Sequence, residues 1–175
     1  MHNNMLYFPK LDVDIECIKS IVLNNQFNRN SSSAKHHRLV SSEPYLTEVQ
    51  RKYPFLTDTY NIYTTLPFSG LPRHVDAKRK CALNIPLKGT DGSETIFYSP
   101  IGELITKYDP VLIANIIVSD VEKIYSFTLT EPVVINNTIP HEVVNNSATT
   151  RVIMSWSISN DYTFEDVVEI FKRNE

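Results

Sequence analysis

Leu71-Pro-Arg-His-Val-Asp76 and, far downstream, Ile139-Pro-His141 are the two segments that decide how this chain is read. His74 and Asp76 are two apart, and on an extended strand residues i and i+2 point to the same face. An imidazole and a carboxylate then face one point, and His141 from a distant strand completes a triad. Two His and one carboxylate on one side of a metal, with the other side open, is the arrangement that suits non-haem Fe(II). Arg151 follows ten positions after His141 in a strand-like run, where it would hold a dicarboxylate cosubstrate. A His-x-Asp triplet alone is weak evidence and is commonly a surface turn pair. The Pro-His at the head of a late β segment and the arginine beyond it make coincidence a poorer account.

The rest of the composition is compatible with such a site. A chain of 175 residues, 42% hydrophobic and 21% charged, is read most simply as one domain with a real core. A net charge of −3 gives no basic footprint for a nucleic-acid backbone, and the local patch of Arg73 with Lys78-Arg79-Lys80 is short. Cys17 and Cys81 make neither a disulfide framework nor a zinc-finger spacing, which favours a reducing compartment and a cytoplasmic location. No apolar run is long enough for a membrane span, and the N-terminus lacks the pattern of a signal peptide.

Working outward, the chain divides into a helical N-terminal support (1–56), a strand-rich core (57–159) and a closing C-terminal helix (160–175). Leu6-Tyr7-Phe8 reads as a short strand and Asp14 to Leu23 as a helix, with Ile15, Ile18, Val22 and Leu23 at helical spacing. Asn24 to Lys35 is polar and reads as a loop. His36 and His37 read as a loop pair rather than a metal pair, because neighbours on a strand point oppositely. Ser42 to Lys52 reads as a helix capped by Ser42, with Pro44 in its first turn.

Short β-rich runs follow: Tyr60–Leu66, Cys81–Leu87, Thr95–Tyr98, Val111–Val118, Ile124–Leu129, Val133–Ile135, Val143–Val144 and Arg151–Ile158. Val111–Val118 reads equally as a buried helix. Thr163 to Lys172 is a helix with Thr163 as cap and Asp166 three residues on. The expected fold is therefore mainly β with flanking helices, a jelly-roll or cupin-like barrel of two sheets.

The segments Leu71–Asp76, Arg79-Lys-Cys-Ala-Leu-Asn-Ile-Pro-Leu87 and Asn137-Thr-Ile-Pro-His141, with Arg151, resemble the Fe(II)- and 2-oxoglutarate-dependent oxygenase superfamily. They are most similar to small phage and bacterial members related to the aspartyl/asparaginyl hydroxylases, whose setting would be the cytoplasm of the cell or host. The resemblance covers residues 57–159. It implies a double-stranded β-helix, Fe(II) held by His74, Asp76 and His141, and 2-oxoglutarate held through its far carboxylate by Arg151. It also implies reaction with O2, hydroxylation of a substrate, and release of succinate and CO2. Many members carry Ser or Thr two residues after that arginine, where this chain has Ile153; Tyr63, Asn84, Tyr98 or Ser155 are candidates to supply the missing hydrogen bond. In the hydroxylase group an arginine placed like Arg79 contacts the cosubstrate, although here it belongs to a charge run of the kind usually solvated.

The residues themselves refine these expectations. In Thr150–Ser159 the apolar Val152, Met154, Trp156 and Ile158 share one face, and Arg151, Ile153, Ser155 and Ser157 share the other, which should look into the barrel. A guanidinium there needs an anion, either a ligand's carboxylate or an internal Asp or Glu. Asn84 either faces the cosubstrate or lies outside while Leu83, Ile85 and Leu87 fill the core. Arg79 and Asn84 have opposite strand parity. Tyr60 and Tyr63 are candidates for the mouth of the site. The other readings are a cupin-type metal enzyme without 2-oxoglutarate and a non-enzymatic jelly-roll binding or structural protein. The substrate is open, with a small molecule or a peptide side chain favoured over a nucleic acid.

Overall fold

A computed structural model describes residues 4–26, 35–38 and 43–173, with the side chains of 25–26 and 35–38 left out. Its frame is two six-stranded sheets. The first has the order β1 (Leu6–Tyr7), β10 (Val133–Asn136), β5 (Cys81–Lys88), β12 (Arg151–Ile158), β3 (Leu56–Thr65), β2 (Lys35–Arg38). The second has the order β7 (Thr106–Asp109), β8 (Ala114–Ile117), β4 (Ser69–Asp76), β11 (His141–Asn145), β6 (Ser93–Pro100), β9 (Val121–Phe127). Neighbouring strands run antiparallel, and the chain repeatedly crosses from one sheet to the other, which makes a jelly-roll double-stranded β-helix. That winding sets β4 beside β11, although they lie far apart in sequence.

The strand alternation of β12 divides two cores. Val152, Met154 and Trp156 pack outward with Leu83 and Ile85 of β5 under the helices α1 (Ile15–Gln26), α2 (Pro44–Lys52) and α3 (Phe164–Arg173). Ile18 and Val22 of α1, Leu46 and Val49 of α2, and Val167 and Phe171 of α3 cover that face. Ile153 points the other way, into a second cluster between the sheets with Met5, Phe97, Phe127 and Val133. The helices thus cover one sheet from outside and leave the space between the sheets for chemistry. Helix α3 begins with a capping box: the Thr163 N–H donates to Asp166 Oδ2 (2.8 Å) and the Asp166 N–H donates to Thr163 Oγ1 (3.2 Å). No helix among the described residues is long and apolar enough to cross a membrane.

Several expectations need correction. Helix α1 continues to Gln26, past the expected loop boundary at Asn24. His36 and His37 lie on strand β2, paired with Asn61 and Tyr60 of β3, rather than in a loop. Ser42, the expected cap of α2, lies outside the described residues; Glu43 occupies the N-cap position without a side-chain cap bond, and Pro44 opens the helix. Only Ala114–Ile117 of Val111–Val118 is a strand. The preceding residues form a turn in which Ile113 has φ 52°, so the segment is no helix. Strand β4 itself was obscured by Gly70 and Pro72. Strand β8 pairs only with residues 74–76 of β4, and the register against β11 shifts between His141 and Val143. The missing N–H of Pro72 therefore falls where the ladder is already broken.

Gly89 closes β5 at φ 62°, and a Cβ there would stand 2.3 Å from the Thr150 carbonyl oxygen, next to Arg151. Gly89→Ala is expected to destabilise the protein by more than about 1 kcal/mol, because both the backbone conformation and the close approach oppose a side chain. Denaturant unfolding of the variant measures this, and an unchanged midpoint would contradict it.

Candidate metal centre

His74 and His141 face each other directly across the β4–β11 ladder, and Asp76 is the next residue along β4 on the same face. The three contribute ligand atoms that all lie within 4.8 Å of one another. The imidazole rings are 4.4 Å apart between centroids, and His74 Nε2 is 3.6 Å from Asp76 Oδ1. All three ligands come from neighbouring strands of one sheet.

The rings are oriented by the backbone. His74 Nδ1 bonds the Pro72 carbonyl (2.7 Å) and His141 Nδ1 bonds the Ile139 carbonyl (2.9 Å). A carbonyl oxygen only accepts, so each Nδ1 carries a proton and each ring turns its Nε2 toward the centre. Burial pushes His141 down to about 4, with the neighbouring His74 acting in the same direction. It is thus neutral at pH 7, the form that binds a metal.

Asp76 is held differently. Burial raises its carboxyl, but the Arg79 guanidinium beside it outweighs that and holds it well below the usual carboxylate range. Arg79 Nε and Nη2 donate to Oδ2 at 2.9 and 2.7 Å, which leaves Oδ1 facing His74 and free to bind as a single oxygen. Arg79 also donates to Ser155 Oγ (3.0 Å) and Tyr63 Oη (3.0 Å) on the opposite sheet. The charge run was misleading: Arg79 turns inward while its neighbour Lys80 bonds the Asn160 carbonyl at the surface. Two imidazoles with Nε2 turned inward and one singly offered carboxylate oxygen, each with a partner behind it, fit a divalent first-row metal.

These residues open on a cavity of about 290 Å³ between the sheets. Arg151 lines it from β12 and is 2% exposed. Its Nε and Nη1 have no hydrogen-bond partner, and among the described residues no Asp or Glu is paired with it. An internal salt bridge to Arg151 is absent there. Burial alone pushes the guanidinium down to about 10, so it is a charged, largely unsatisfied donor at neutral pH.

The candidate helpers of Arg151 sort by partner. Ser155 and Tyr63 line the cavity, but both accept from Arg79. Tyr98 does not line it, and its hydroxyl donates to Glu142. Asn84 does line it: it pairs with Ser155 across the ladder and so shares the inward face, and its Oδ1 is buried without a partner. Leu83, Ile85 and Leu87 point to the helices instead. Arg79 reaches the same cavity because it stands in the turn before β5, where strand parity does not apply. Tyr60 packs under the helices against Trp156, away from the mouth.

Two lining residues were not evident from sequence. Thr65 is the cross-strand partner of Arg151, a relation that appears only once the register is known. Asn137 carries a buried, unpartnered Nδ2, and its one sequence cue is its place just before Ile139-Pro-His141.

No known family's sequence profile matches the chain, and none of the curated proteins matches it either. Solved structures do. AviO1 from Streptomyces viridochromogenes Tue57 superposes with a TM-score of 0.51 at 13% identity, over 91% of this chain and 91% of that one. An oxidoreductase of the 2OG-Fe(II) oxygenase family from Burkholderia pseudomallei gives 0.50 at 15% identity, over 82% and 77%. The protein ycfD from E. coli gives 0.50 at 15%, over 85% of this chain but only 41% of its own length. What the likeness establishes is the fold: this chain has the double-stranded β-helix that a 2OG-Fe(II) oxygenase family oxidoreductase also has.

Proposed function

We propose that the chain is an Fe(II)- and 2-oxoglutarate-dependent dioxygenase that hydroxylates a small molecule or a peptide side chain. The observation that carries this reading is the buried guanidinium of Arg151, with two donor atoms unmet, in the same cavity as the His74–Asp76–His141 triad. A metal enzyme of this fold acting on a neutral substrate would have no use for that cation, nor would a structural jelly roll, and burying it unpaired is costly. The narrower kinship with aspartyl/asparaginyl hydroxylases rests on the sequence segments alone.

Bound here, Fe(II) and 2-oxoglutarate would supply the oxidising chemistry, O2 being reduced as the keto acid is converted to succinate and CO2. The chain's own part is placement. His74, His141 and Asp76 Oδ1 would hold the metal from one side. Arg79 keeps Oδ2 occupied and the carboxyl ionised. Arg151 would fix the far carboxylate through paired N–H donors, with Asn84 and Thr65 as neutral neighbours. Leu71, Val143 and Ile153 provide apolar wall around the centre.

The test is anaerobic binding of Fe(II) and 2-oxoglutarate, read by the metal-to-ligand charge-transfer band. The band is expected in the wild type, absent in His74→Ala and weakened in Arg151→Ala. A wild type that binds the metal but develops no band would instead favour a cupin-type metal enzyme. A wild type that binds no metal would point to a binding or structural role.

A further inference from the structure

We infer that the primary substrate enters this cavity with an uncharged aliphatic group bearing one hydrogen-bond-accepting oxygen, which the side-chain N–H of Asn137 takes. This rests on the oxygenase reading and adds to it the class of group that is oxidised.

Asn137 is fixed in place. Its backbone N–H donates to the Lys80 carbonyl (2.9 Å) and its carbonyl accepts from the Asp76 N–H (3.1 Å), so it is tied to both ends of the turn that carries Arg79. The side chain lines the cavity, is 3% exposed, and leaves Nδ2 without a partner. A buried N–H with no acceptor is costly unless a ligand supplies one. Nothing in the metal or cosubstrate assignment uses it.

The charges around the cavity are already committed. Among the described lining residues those with fixed charge are Asp76, Arg79 and Arg151. Asp76 and Arg79 neutralise each other at 2.7 Å, and Arg151 is reserved for the cosubstrate carboxylate. No counter-ion is left for an ammonium or carboxylate of a second ligand, so a free amino acid could not place its charged backbone inside.

The solvent-exposed part of the lining is aliphatic: Val111 and Leu112 are exposed, with Leu71 and Ala114 lining the same cavity. Val111 is 83% exposed, yet its turn is pinned, with Asp109 Oδ1 accepting the N–H groups of Val111 (2.8 Å) and Leu112 (3.0 Å). A fixed turn that holds hydrocarbon at the lip of a cavity gains by covering it with more hydrocarbon.

Three probes with one hydrocarbon group separate the alternatives: pivalamide, pivalate and tert-butylammonium. They are titrated into the whole chain loaded with Zn(II) and 2-oxoglutarate, while NMR follows the Asn137 side-chain amide and the Val111 and Leu112 methyls. Pivalamide is expected to shift all three and to bind at least about tenfold more tightly than either charged probe. Asn137→Leu should weaken pivalamide roughly fivefold and leave 2-oxoglutarate binding intact. Val111→Asp, at an exposed position that spares folding, should also weaken it. Charged probes that bind as well, an unmoved Asn137 amide, or an Asn137→Leu protein that binds pivalamide like wild type overturns the inference. If 2-oxoglutarate itself leaves Arg151 unperturbed in the same sample, the oxygenase reading falls, and this inference with it.

Discussion

Arg151→Met is expected to make the ligand-free protein more stable and to lower its affinity for 2-oxoglutarate by at least about a hundredfold. Both effects have one cause. The guanidinium sits 2% exposed with Nε and Nη1 unmet, and burial has drawn it down to about 10. A shift of that size corresponds to about 3 kcal/mol of desolvation cost in the folded state. Methionine removes the charge and keeps part of the volume. Allowing for the void left by the shorter side chain, a gain of about 1–3 kcal/mol follows. For a chain of this length each kcal/mol raises Tm by roughly 2–4 °C. The side chain is charged in both folded and unfolded states at neutral pH, so the gain should be flat across pH 6–8; the penalty is relieved only as pH rises through about 10. Urea unfolding of the ligand-free proteins measures the first effect, and isothermal titration with Zn(II) and 2-oxoglutarate the second. A variant that is less stable yet binds the keto acid normally would show that Arg151 is structural.

Why the facing of Arg151 was legible in the sequence, while the hold of Arg79 on Asp76 was not, comes down to where periodicity operates. Arg151 stands in an uninterrupted strand whose alternate residues are apolar, so a period of two is enough to assign its face. The same rule places His74 with Asp76. It also decides Asn84 once Ser155 is known to pair with it, which a single strand does not reveal. Arg79 stands between β4 and β5 in a turn, where no period holds and three basic residues in a row suggest a solvated face. Its partners, Asp76, Ser155 and Tyr63, come from three different strands. Asn137 and Thr65 are harder still: one depends on which buried atoms go unpaired, the other on register. The fold class followed from the many short apolar runs. Strands β2 and β7 escaped because they are polar, and β4 was read as extended only around His74 and Asp76 because Gly70 and Pro72 interrupt its start; their neighbours in the ladder make them strands.

Removing the second buried arginine should do the opposite of removing the first. Arg79 is paired, and its loss leaves the Asp76 carboxylate, 13% exposed, without its counter-charge. Arg79→Met is therefore expected to destabilise the protein by about 3–5 kcal/mol. It should also weaken metal binding by about 10- to 100-fold, because Oδ2 is released and the carboxylate can turn from its single-oxygen presentation. Arg79→Lys should recover little, since one ammonium cannot reach Asp76, Ser155 and Tyr63 together. The pH dependence carries the sign. In the wild type the depressed Asp76 pKa contributes stability that is fully present above about pH 4 and is lost as pH falls toward the folded-state value. In Arg79→Met burial dominates, the carboxyl titrates higher, and protonation relieves the stranded charge. The stability gap between the two proteins should thus narrow steadily from pH 7 to pH 4. A double variant, Arg79→Met with Asp76→Asn, should be more stable than Arg79→Met alone, a non-additivity expected only for groups in direct contact. A gap that is independent of pH, or a double variant that is the sum of its parts, would mean that Arg79 supports the fold by packing and has no hold on the carboxylate.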